Sequence, residues 1–127
     1  CVAFSPLANG LLSGRYGKHS RFDAGTDYRS VMPQFSDSAM DQNQALLDLL
    51  RRLAEEKRAS PAQISLAWML RKKPYLVPIP GSRKPERLEE NAGAANVALT
   101  AAEVRELDGA LDAMEMSPVF GGTKVIA

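Results

Sequence analysis

Only two short stretches of this chain read as strands, and everything between and after them reads as loop or helix. Val2-Ala3-Phe4 has the composition of the end of a buried strand, and Tyr75 to Ile79 forms a second apolar run without polar alternation. A strand with no polar face is expected to be covered on both sides, as in a parallel sheet. Pro78 is an awkward member, because proline donates nothing to a strand ladder. Strands separated by helices imply an α/β architecture with parallel pairing. Two strands rarely make a stable sheet alone, since three or more are usually needed. The pattern therefore implies further strands beyond these 127 residues. The chain has no initiator Met and opens at Cys1 inside an apolar run, so a fragment is the expectation.

The helical signals are stronger. Gln42 to Arg58 carries Leu46, Leu49, Leu50 and Leu53 on one stripe, against Asp48, Arg51, Arg52, Glu55 and Glu56. Ser60-Pro61-Ala62-Gln63 is a capping box with proline at the first helical position. The helix body, Ile64 to Leu70, is apolar almost all round and predicts deep burial; Lys72, Lys73 and Pro74 end it. Thr100-Ala101-Ala102-Glu103 opens a last helix with Val104, Leu107, Leu111 and Met114 inward, before a Gly- and Pro-punctuated tail over residues 116–127. Trp68 and the methionines read as core. From Arg15 to Met40 the sequence is polar and turn-rich, with Tyr16, Phe22, Tyr28, Met32 and Phe35 scattered through it. A loop that long is either a functional lid or a poorly ordered excursion, and composition does not choose between them.

The junction after the second strand is the most informative site signal. Leu76 to Ile79 ends in Pro80-Gly81, and Ser82, Arg83 and Lys84 lead into a helix beginning at Pro85 and running to about Ala95. Such a strand-turn-helix junction aims unpaired N–H groups and the positive end of a helix dipole at one spot. The nearby Ser82, Arg83, Lys84 and Arg87 suit a phosphate. Helical spacing puts Arg87, Glu90 and Asn91 on one face and Leu88, Ala92 and Ala95 on another. A cation, a carboxylate and an amide together could grip a nucleoside beside its phosphate. Taken alone, that polar trio is most often a solvated helix face, and Phe4 alone is more often a core residue than a cofactor platform. His19 sits in a polar loop and reads as exposed.

Composition excludes more than it assigns. Sixteen basic and 15 acidic residues leave a net charge of +1, giving no reason to expect nucleic acid or a membrane surface. No apolar run approaches the ~20 residues that span a bilayer. One cysteine cannot form an internal disulfide and fits a reducing, cytoplasmic compartment. No metal-ligand spacing is present.

Phe4-Ser5-Pro6-Leu7-Ala8-Asn9-Gly10-Leu11-Leu12-Ser13-Gly14 resembles the loop after the seventh barrel strand of aldo-keto reductases. Ile79-Pro80-Gly81-Ser82-Arg83-Lys84-Pro85-Glu86-Arg87-Leu88-Glu89-Glu90-Asn91 is similar to that family's loop and helix after the eighth strand. The resemblance runs from Val2 to about Met114. It implies that residues 1–127 are a C-terminal fragment of a TIM (β/α)8 barrel, one partial domain, mostly helical with two short parallel strands. It also implies an NADP(H)-dependent reductase of aldehydes or ketones, with this segment supplying much of the cofactor site. By resemblance, Phe4 stacks on the nicotinamide, and Ser5, Leu7 and the Asn9-Gly10 backbone clasp the pyrophosphate. Gly81, Ser82 and Arg83 hold the 2′-phosphate, Arg87 contacts that phosphate and lies over the adenine, and Glu90 and Asn91 meet the adenine edge. The family's Asp, Tyr, Lys and His tetrad lies on earlier strands, so no catalytic residue is expected here and the segment alone is expected to be inactive. Tyr16, Tyr28 and Tyr75 do not match the catalytic tyrosine. The expected partners are a small carbonyl substrate and either the rest of the barrel or a second copy of the chain. The alternatives are a stand-alone nucleotide- or phosphate-binding module and a helical interaction module without catalysis.

Overall fold

In a computed structural model of the chain, residues 1–17 and 20–113 are described. His19, Met114 and the tail lie outside them. Two strands, β1 (Val2–Phe4) and β2 (Val77–Ile79), pair in parallel with Val2 opposite Val77, Ala3 opposite Pro78 and Phe4 opposite Ile79. Four helices accompany them: α1 (Asp37–Lys57), α2 (Pro61–Lys72), α3 (Pro85–Gly93) and α4 (Ala101–Ala113). Short 3-10 turns occupy Ala8–Ser13, Tyr28–Val31, Pro33–Phe35 and Ala94–Asn96.

The capping chemistry sets the helix starts. Ser60 Oγ accepts from the Gln63 amide at 3.2 Å while Gln63 Oε1 accepts from the Ser60 amide at 3.0 Å. Thr100 and Glu103 make the same reciprocal pair at 3.2 and 2.8 Å. Helix α1 starts earlier than the leucine stripe suggests. Ser36 Oγ accepts from the Ala39 amide, so the helix opens at Asp37 rather than Gln42, and Ala39, Met40 and Asn43 join its buried face. A polar first turn hides from a hydrophobic-period reading, whereas the serine cap does not. Its far end is a left-handed Arg58 (φ 53°), whose N–H returns to the Ala54 and Glu55 carbonyls.

The core lies between helices, not under the strands. Leu46, Leu50, Leu53 and Ala54 of α1 meet Ile64 and Ala67 of α2, with Leu99 and Leu107 closing the far side. A smaller cluster joins Leu11, Met40 and Leu47 to Phe35. Ile64 to Ala67 is buried as the sequence predicts, while Leu70 is exposed and Trp68 is half-buried against the core. Helix α4 contributes one buried residue, Leu107, and is tied down by polar contacts. Lys57 meets Glu103 at 2.8 Å, Arg52 pairs with Glu106, and Asp108 takes the Trp68 indole N–H and Lys72, each at 2.9 Å.

Two expectations of burial are overturned. Phe4 is 82% exposed and Val2 65%, and Val77 and Ile79 are also exposed, so the strands are not covered on both faces. No third strand pairs with them among the described residues. Their apolar character thus records a preference for burial that this chain does not itself satisfy. Leu88 and Ala92 on α3, and Ala95 just beyond its end, are exposed for the same reason, while the polar Arg87, Glu90 and Asn91 turn inward.

The segment from Arg15 to Ser36 is not a loose excursion. The Tyr16, Phe22 and Phe35 rings pack with centroids 4.9–5.9 Å apart, and the Arg29 guanidinium lies 4.7 and 4.6 Å from the Tyr16 and Phe22 ring centres. No described helix is long and apolar enough to cross a membrane.

Candidate functional site

Both strands end at the same place, and the turn leaving each one forms a wall of a cavity of about 370 Å³. On the β1 side the chain turns sharply. Ser5, Ala8, Asn9 and Gly10 all have left-handed backbone, at φ 47°, 48°, 57° and 99°. Each non-glycine residue held there costs on the order of 1–3 kcal/mol, so the surroundings must impose the shape. The Ala8 amide donates to the Ser5 carbonyl, and the Gly10 and Leu12 amides both donate to the Leu7 carbonyl, at 2.9, 2.9 and 3.2 Å. Gly10 therefore offers the cavity its missing Cβ rather than a free N–H. Leu11 anchors the turn in the smaller apolar cluster, and at Gly14 a Cβ would lie 2.9 Å from Pro61 Cγ.

The β2 side is the Pro80-Gly81-Ser82 turn and the inner face of α3. Ser82 Oγ accepts from the Lys84 amide at 3.1 Å, which braces the approach to Pro85. Arg87 lies half-buried in the wall, and its Nε is buried without a hydrogen-bond acceptor. A buried, charged donor with nothing to donate to is costly unless a ligand completes it. Glu90 is engaged through both its groups. Its carboxylate meets Arg15 at 3.3 Å, and its backbone carbonyl accepts from Gln63 Nε2 at 2.8 Å.

The cavity brings together Ser5, Leu7, Asn9, Gly10, Gly81, Ser82, Arg87, Glu90 and Asn91, nine of the residues the sequence singles out. Phe4 and Arg83 are not among its lining residues; both are exposed beside it. Sequence reasoning missed Arg15, Tyr16, Arg29 and Met32, which the Arg15–Ser36 segment delivers to the same wall. The available signal was four aromatic residues, Tyr16, Phe22, Tyr28 and Phe35, in a mostly polar stretch, with Asp27 and Arg29 two residues apart.

The electrostatics favour an anion. Three arginines line the cavity, but Arg15 is matched by Glu90 and Arg29 by Asp27, so Arg87 carries the uncompensated positive charge. Arg29 is held by Asp27, whose carboxyl is pushed below its ordinary range chiefly by the Arg29 hydrogen bonds. Arg87 makes no salt bridge among the described residues, so its charge remains available. No cluster of His, Cys, Asp and Glu able to hold a metal occurs among the described residues.

Comparison with known proteins gives this geometry a context. The model of the Aldo/keto reductase family matches residues 1–112. The aldo-keto reductase str7 of Strobilurus tenacellus is 40% identical over 81% of this chain and 30% of its own length. A Schizosaccharomyces pombe relative, the aldo-keto reductase yakc, whose name specifies NADP(+), is 35% identical over 98% of this chain and 37% of its own. Among solved structures, a glycerol dehydrogenase from Gluconobacter oxydans superposes with a TM-score of 0.77 at 25% identity, over 96% of this chain and 37% of that one. The chain thus spans about a third of the length of these relatives, and its strands and helices match part of a TIM barrel. With the family model covering nearly all the described residues, the chain belongs to the aldo/keto reductase family.

Proposed function

We propose that the protein carrying this chain is an NADP-dependent oxidoreductase that reduces aldehydes or ketones to alcohols, and that this segment forms much of its cofactor site. The observation that carries the reading is the buried, unpartnered Nε of Arg87 in a cavity walled by both strand-end turns. NADPH, when bound, would supply the hydride and leave as NADP(+). The residues here bind and orient it. Arg87 donates to the 2′-phosphate, with the Gly81-Ser82 turn beneath and Arg83 adding charge at the rim. Asn91 and Glu90 meet the adenine edge. Ser5, Leu7, Asn9 and Gly10 shape the channel for the pyrophosphate, and the exposed ring of Phe4 offers a face for the nicotinamide.

In this reading the uncovered apolar faces of β1 and β2 are surfaces for the rest of the barrel. The proton donor for the carbonyl oxygen comes from that remainder, so residues 1–127 form a partial domain without turnover of their own. Parallel titrations of the intact protein with NADPH and NADH test the assignment. NADPH should bind at least about tenfold more tightly, since a dianion facing an unpaired arginine gains a charge-assisted hydrogen bond. Equal affinities would remove the basis for NADP.

A further inference from the structure

We propose that Arg29 is a positioning residue: acting through Tyr16, it fixes the strained turn from Ser5 to Gly14 in its ligand-ready shape. Nothing in the cofactor assignment requires it, because Arg29 lies in the segment beyond the turn and its charge is already matched. Its Nε donates to both Asp27 oxygens at 2.9 and 3.1 Å, its Nη2 donates to Asp27 Oδ2, and its Nη1 donates to the Tyr16 hydroxyl. The guanidinium plane lies over the Tyr16 and Phe22 rings at 4.7 and 4.6 Å. Tyr16 is thus gripped at its hydroxyl and over its ring.

The other side of that ring's reach is Gly10. A Cβ on Gly10 would stand 2.8 Å from Tyr16 Cε2, so ring and glycine backbone are in direct apposition. Gly10 is the last of the left-handed residues before Leu11, and its amide closes onto the Leu7 carbonyl. A turn with this many unfavourable backbone angles persists only if its neighbours hold it. Leu11 and Pro61 hold its far end; Tyr16 is the support at Gly10, and Arg29 sets where Tyr16 stands. The aromatic cluster with Phe22 and Phe35 keeps the support itself rigid.

The test is amide hydrogen exchange on the intact, ligand-free protein, paired with NADPH titration. In Arg29→Met the Gly10 and Leu12 amides should exchange about fivefold or more faster, as expected for losing roughly one hydrogen bond's worth of local stability. The Ile64 amide, bonded to Ser60 at the start of α2, should not change. NADPH affinity should fall by a similar factor, and Arg29→Lys should recover part of both effects. Tyr16→Phe, which removes only the hydroxyl, should shift both readouts the same way by a smaller factor and serves if Arg29→Met does not fold. Wild-type exchange at Gly10 and Leu12 in both variants overturns the proposal. So does a loss of affinity with unchanged exchange, which would make Arg29 a direct anion ligand. The affinity arm rests on the NADP reading; a wild-type protein that ignores NADPH sinks that reading, while the exchange arm still decides the role of Arg29.

Discussion

Gln63 reaches in two directions at once: its Oε1 accepts from the Ser60 amide at 3.0 Å, and its Nε2 donates to the Glu90 carbonyl at 2.8 Å. One side chain therefore caps α2 and pins α3 beside the cavity. Gln63→Glu keeps the capping acceptor but points a carboxylate at a carbonyl. It should destabilise the protein by about 1–3 kcal/mol, the cost of an orphaned buried acceptor. Urea unfolding of the intact protein measures this, and an unchanged midpoint would show that the contact contributes nothing.

The same contact explains a glycine. A Cβ on Gly93 would lie 2.7 Å from Gln63 Nε2, whereas at Gly109 in α4 it would meet nothing within 4 Å. Glycine within a helix ordinarily costs about 0.5–1 kcal/mol relative to alanine. Gly109→Ala should therefore stabilise by about that amount, and Gly93→Ala should destabilise because Gln63 must leave its place. Opposite signs in the two unfolding midpoints are the expected result.

Arg87→Met retains the buried stem and removes the unpartnered charge. NADPH affinity should fall about 10- to 100-fold, the range of a hydrogen bond to a charged group, with NADH affinity little changed. Protein stability should hold or rise, because the variant no longer buries an unsatisfied donor. Equal losses for the two cofactors would place Arg87 away from the 2′-phosphate.

How much of this was legible in the sequence depended on the range of the interaction involved. Ser60 with Gln63, and Thr100 with Glu103, are three residues apart, and a local cap can be read locally. The convergence of Ser5–Gly10 with Gly81–Asn91 followed from the two strands being parallel neighbours. The Tyr16–Phe22–Phe35 cluster obeys no period, since its rings meet through a folded-back segment, and so Arg15, Tyr16 and Arg29 were not expected at the cavity. The exposure of Phe4 and Val77 was legible only indirectly, through two strands being too few for a stable sheet. Hydrophobicity says that a residue favours burial, not which residues will cover it.

The Arg15–Glu90 pair joins the two walls of the cavity across 75 positions of sequence at 3.3 Å, but the Arg15 side chain is half exposed. Exposed ion pairs contribute about 0–1 kcal/mol and are screened by salt. Arg15→Gln should therefore leave the unfolding midpoint nearly unchanged. It should instead release the Glu90 carboxylate and speed NADPH dissociation, as seen by stopped-flow fluorescence. The difference from wild type should shrink as salt rises. A salt-independent effect would indicate that Arg15 acts by packing.

Asp108 holds α4 against α2, taking Lys72 on one oxygen and the Trp68 indole N–H on the other. Those two contacts, Lys72 first, lower its carboxyl below the ordinary 3.8. A carboxyl depressed by folding contributes stability that is fully present above its unfolded value and is lost as pH falls through the folded one. The docking of α4 should thus be insensitive to pH from neutrality down to about pH 5 and weaken only below roughly pH 4. Asp108→Asn keeps an acceptor for the indole but loses the charge facing Lys72. Because Leu107 is the one fully buried residue of α4 among the described residues, with Val104 and Leu111 packed only partly against the core, this change should loosen α4 at neutral pH and flatten the acid response of the Trp68 indole N–H signal, which NMR can follow directly. An indole signal that titrates identically in both proteins would mean that another carboxylate governs the acid response.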